Sequence, residues 1–87
     1  MGDNEPKAMP GLTEGRMVHY VLDQGPDEGG HRAAVITRIW DHGTGYCNLT
    51  VFVDGRNDGY DPGPAWITSV PYSEEPKPRT WHWIEQA

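Results

Sequence analysis

Tyr46-Cys47-Asn48-Leu49-Thr50-Val51-Phe52-Val53-Asp54 changes side-chain character at each step: Cys47, Leu49, Val51 and Val53 fall on one face, Asn48, Thr50 and Phe52 on the other. Period-two alternation in a run rich in β-branched residues predicts a strand with one face on a core. Just before it, Asp41-His42-Gly43-Thr44-Gly45 offers two glycines for a tight turn. The strand expected to lead into that turn is 31–40, in which Ala33, Val35, Thr37 and Ile39 alternate with Ala34, Ile36, Arg38 and Trp40. Neither of its faces is wholly polar. The same holds for 16–22, where Val18, Tyr20 and Leu22 oppose Met17, His19 and Val21.

Beyond the decisive strand, residues 55–64 read as a turn-rich loop and 65–72 as a fourth strand, with Pro71 closing it or marking an edge. A Pro-punctuated link then leads to a short fifth strand, 80–84. The fold class is therefore all-β: a small SH3-like barrel or a strongly curled five-stranded antiparallel sheet, with 12–84 as its single domain, a flexible tail over 1–11 and a short end at 85–87. Strands apolar on both faces in so short a chain also point to a homo-oligomer.

Composition removes several functions. Seven Lys+Arg against thirteen Asp+Glu leave a net charge of −6, which argues against a track for long nucleic acid. No apolar run approaches a membrane span or secretory signal, so the expectation is a soluble intracellular protein without a membrane partner. The one cysteine, Cys47, has no partner for a disulfide within the chain, and on the core face its thiol reads as inert. The four histidines, His19, His31, His42 and His82, stand twelve, eleven and forty residues apart, spacings that match no usual zinc pattern. Asp54 to Asp61 fails the calcium-loop template at its third and twelfth positions, Arg56 and Ala65. Neither a metal site nor a cofactor is expected. Phosphate-loop, dinucleotide and nucleophile motifs are absent, so no catalytic residue is assigned and a non-enzyme is favoured.

Two asymmetries remain. Arginine rather than lysine populates the body, at Arg16, Arg32, Arg38 and Arg56, and Trp81 and Trp83 share one face with His82 opposed. Arginine grips phosphate as a planar fork and aromatic rings stack bases, so Arg16, Tyr20, Arg32, Arg38, Trp40, Trp81 and Trp83 form the candidate ligand-binding set for a small anionic nucleotide. The alternative is that the arginines pair with the acids of the same body and the rings fill a core.

The phrases Leu12-Thr13-Glu14-Gly15-Arg16-Met17-Val18-His19-Tyr20-Val21-Leu22, His31-Arg32-Ala33-Ala34-Val35, Asn48 to Gly55 with Asn57-Asp58, Trp66 to Glu75, and Thr80-Trp81-His82-Trp83 resemble a small protein family of tailed phages and prophages. The resemblance implies expression in an infected bacterium, in the host cytoplasm or in the virion. It is compatible with a binding protein that sequesters a nucleotide immune signal between subunits of a homo-oligomer. The alternative is a virion or assembly protein that binds another phage protein through aromatic residues. The family pattern carries Gly where this chain has Arg79, which singles out that turn.

Overall fold

The computed structural model describes residues 9–85. Five strands form one antiparallel sheet: β1 (Met17–Val21), β2 (His31–Asp41), β3 (Tyr46–Val51), β4 (Ala65–Val70) and β5 (Trp81–His82). Their spatial order is β4-β3-β2-β1-β5. The sheet does not close into a barrel. A single parallel bridge from Tyr72 to Trp81, with Ser73 N–H donating to the Trp81 carbonyl at 2.9 Å, covers the free side of β5. That contact satisfies backbone groups which an open edge would expose.

The core lies on one face. Val18, Tyr20 and Leu22, Ala34 and Ile36, Cys47, Leu49 and Val51, Val70 and Trp81 are all fully buried. In β3 this is the face the alternation requires, and in β1, apolar on both sides, the fold turns Val18, Tyr20 and Leu22 inward. In β2 and β4 simple alternation fails: Ile36 and Ile39 both enter the core, as do Ile67 and Val70, each pair three residues apart. Register shifts between Ile36 and Arg38, and opposite the Cys47–Leu49 step, explain it, because a bulge inserts a residue and reverses which side chains face inward.

Asn48 on β3 lies opposite both irregularities. Its Oδ1 accepts from Trp40 Nε1 at 2.8 Å, Thr68 Oγ1 at 2.9 Å and Ser69 N–H at 2.9 Å. One buried amide oxygen thereby meets donors from both neighbouring strands.

The turns are tied down individually. Gly45 has φ 82°, and a Cβ there would meet Met9 Sδ at 2.8 Å and Tyr72 Cβ at 2.9 Å, while its carbonyl accepts from Trp81 Nε1 at 2.7 Å. Met9 N–H donates to the His42 carbonyl at 2.9 Å, and Met9 packs on the core. The end of the expected tail is thus docked, and its residues 1–8 lie outside those described. A 3-10 turn, Gly55–Asp58, carries the buried Asp58. Arg32 Nε and Nη2 each donate to its carboxylate at 2.7 Å, and the Asp54 N–H adds a third bond at 2.6 Å. These bonds, led by that from Arg32, hold the Asp58 carboxyl below the usual aspartate range against the opposing effect of burial.

Arg79 adopts φ 64°, the left-handed conformation that glycine takes without strain. Its N–H donates to Val21 O at 2.9 Å, and its guanidinium to Thr68 O at 2.9 Å and Ser69 O at 3.3 Å. The turn therefore keeps a glycine-like backbone and adds side-chain bonds to β4. Among the described residues no helix is long and apolar enough to cross a membrane.

Two outcomes follow from this packing. Trp81→Ala should cost about 3–5 kcal/mol in urea denaturation, whereas Trp66→Ala, at 64% exposure, should stay within about 0.5 kcal/mol. Asp58→Asn should cost about 3 kcal/mol at pH 7. The folded-state pKa of Asp58 is depressed, so its contribution is fully present above the unfolded value of about 3.9 and fades as pH falls through the folded value. The difference between Asp58→Asn and the parent should accordingly shrink below about pH 4.

Candidate metal centre

Strand parity determines what shares the outer face. In β1, Tyr20 pairs with Trp81 of β5 inside the core, so the adjacent pair, His19 and His82, lies on the opposite side. On the other flank of β1, Val21 pairs with His31 and His19 with Ala33. His31 therefore sits diagonally across from His19 on the same face. Three adjacent strands bring together three imidazoles from positions 19, 31 and 82.

The chain leaving β5 supplies a fourth group. Glu85 Oε1 lies 2.6 Å from His19 Nδ1 in a hydrogen bond, and Oε2 lies 2.9 Å from His31 Nδ1 and 3.0 Å from His82 Nε2. The four ligand atoms are all within 4.8 Å of one another. The rings stand at steep angles, with centroids 4.6 Å apart for His31 and His82, 5.8 Å for His19 and His82, and 6.0 Å for His19 and His31.

His82 is buried, while His19 and His31 are partly open and Glu85 is half-exposed. Neither ring nitrogen of His82 has a hydrogen-bond partner among the described residues, although its Nε2 lies 3.0 Å from Glu85 Oε2. Buried polar nitrogens ordinarily find a partner, so this ring marks an unmet demand within the cluster. The Glu85 carboxyl is held down at about 2, first by its own backbone N–H and then by His19.

Three imidazoles and a carboxylate are a donor set for a divalent transition metal, and zinc takes it tetrahedrally. Zinc bonds of about 2.0–2.1 Å would set neighbouring ligand atoms roughly 3.4 Å apart, so atoms now up to 4.8 Å apart would draw together around the metal. Calcium and magnesium, which prefer all-oxygen shells, fit poorly. Cys47 is not part of the set: it faces the core, where burial pushes its thiol up to about 12. His42 lies in the β2–β3 turn, apart from the cluster. The histidine spacings gave no sign of this cluster, because strand pairing replaces proximity in sequence. The usable signal was the placement of His19 and His82 on faces opposite the core residues of their strands.

The expected ligand set is dispersed among internal contacts. Tyr20 and Trp81 are fully buried, so neither offers a ring face to a base within one chain. Trp83 packs against Trp81, with centroids 5.0 Å apart, and Arg16 lies 5.2 Å above the Trp83 ring. Arg38 stacks 3.9 Å above the exposed Trp40, while Arg32 is engaged by Asp58. The described residues enclose no pocket that joins them. Comparisons with protein-family models, curated proteins and solved structures return no match.

In the metal-free protein, the Glu85 carboxyl resonance should titrate near 2, well below the ordinary glutamate value of about 4.3. His19→Ala should move that midpoint upward, as NMR-detected titration will report.

Proposed function

We propose that this protein is a small metal-binding β domain, in which His19, His31, His82 and Glu85 hold a divalent transition metal of the zinc class. One observation carries the reading: pairing of β5, β1 and β2 converges three imidazoles and a carboxylate to within 4.8 Å on the sheet's outer face. Bound there, the metal would link the chain after β5 to the two strands beside it. A domain this short has little core from which to draw stability, and such a link adds to it. The chemistry proposed is binding.

A second reading, an accessory phage protein that binds another protein, is favoured by the exposure of Trp66, Trp40, Phe52, Tyr46 and Met17. Met17, Val35, Thr50 and Trp66 are consecutive cross-strand partners from β1 to β4. That reading is independent of the metal and compatible with it. Nucleotide sequestration would need a homo-oligomer to bring arginine–aromatic pairs from separate copies together.

Calorimetric titration of chelator-treated protein with Zn2+ should give one site per chain, and saturating zinc should raise the unfolding midpoint. His82→Ala should weaken binding at least a hundredfold and remove the zinc-dependent stabilisation, whereas His42→Ala should leave both unchanged. Equal zinc affinity in the parent and His82→Ala would refute the assignment.

A further inference from the structure

The cluster contains two kinds of ligand. His19, His31 and His82 are strand residues whose backbones are held by pairing with neighbours, so the triad is set by the sheet itself. Glu85 lies three residues past His82, outside any strand and half-exposed. A carboxylate so placed can swing away without disturbing the sheet. The three histidines cannot do so.

Resting on the metal reading, we infer that Glu85 is an exchangeable ligand, and that the metal-loaded histidine triad accepts an external carboxylate in its place. The geometry supports this in two ways. The triad already receives a carboxylate, since the two Glu85 oxygens reach all three imidazoles at 2.6, 2.9 and 3.0 Å. The site is also reachable, because it opens on the outer face, where the side chains of His19 and His31 are 27% and 30% exposed. Beside it on the same face, Val21, paired with His31, is buried. Three histidines with one replaceable position form the coordination pattern of an open rather than a closed zinc site.

The exchange conserves charge. One metal–oxygen bond to Glu85 breaks, one to the incoming carboxylate forms, and no proton or electron is transferred. The incoming group is either a small free carboxylic acid or an Asp or Glu side chain of another protein. Both present the same donor atoms.

Cobalt(II) serves as the probe, because its visible absorption reports coordination. Full-length protein and the variants Glu85→Ala and Glu85→Gln are loaded with Co2+, then titrated with acetate and, separately, with an end-blocked peptide bearing a single Glu. Both variants should retain Co2+ within a hundredfold of the parent affinity. Acetate should shift the Glu85→Ala spectrum toward that of the parent, with half-saturation at least tenfold below any response of the parent itself. A response to acetate identifies a small carboxylate as sufficient, and a response to the peptide alone identifies a protein side chain; either supports exchange. Loss of Co2+ affinity beyond a hundredfold in both variants would make Glu85 an obligate ligand and overturn the inference, as would Co2+-loaded variants that respond to neither titrant. If the parent takes up no Co2+, the metal reading fails and the exchange falls with it.

Discussion

The pairing of Tyr20 with Trp81 is the constraint on which the rest of the structure depends. Both side chains are fully buried, and Trp81 Nε1 donates to Gly45 O at 2.7 Å, so this pair ties the β1–β5 register to the β2–β3 turn. A strand shifted by one residue exposes its buried set and buries its exposed one. Burial of two large aromatic rings therefore sets where their neighbours point. His19 and His82 meet on the outer face because Tyr20 and Trp81 meet on the inner one.

The same pairing explains how a two-residue strand persists. β5 is held on one side by β1 and on the other by residues 71–73, while Arg79 turns the chain just before it in a left-handed conformation. The Arg79 side chain bonds to carbonyls of Thr68 and Ser69, at the opposite end of the strand order. The curl of the sheet thus brings its two outermost strands into indirect contact without closing a barrel. Asn48 serves the middle of the sheet comparably, accepting from donors of both flanking strands where their registers slip.

The arginine and aromatic bias, which pointed to an anionic ligand, is accounted for mostly by contacts within the chain. Arg32 neutralises the buried Asp58, and Arg16 and Arg38 lie over Trp83 and Trp40. A planar guanidinium suits each of these settings better than an ammonium. Three histidines whose spacings match no usual zinc pattern, His19, His31 and His82, are the residues the fold concentrates. Residues sharing one chemistry can be scattered along a sheet-forming chain and still converge, because antiparallel pairing joins positions far apart in sequence.

Sequence alone determined the all-β class, the number of strands and the inward face of β3, because period-two alternation and turn residues are local signals. Only tertiary structure decided the rest. The bulges that reverse β2 and β4 depend on strands facing one another, so Ile39, Ile67 and Val70 enter the core by a rule that no single strand carries. The choice between a barrel and an open sheet depended on how residues 71–73 meet β5. The histidine cluster depended on the order β2-β1-β5, in which a segment near residue 82 lies beside one near residue 19. Neighbourhood across a sheet is a property of pairing and not of chain distance, and for that reason the candidate site appears only in the folded molecule.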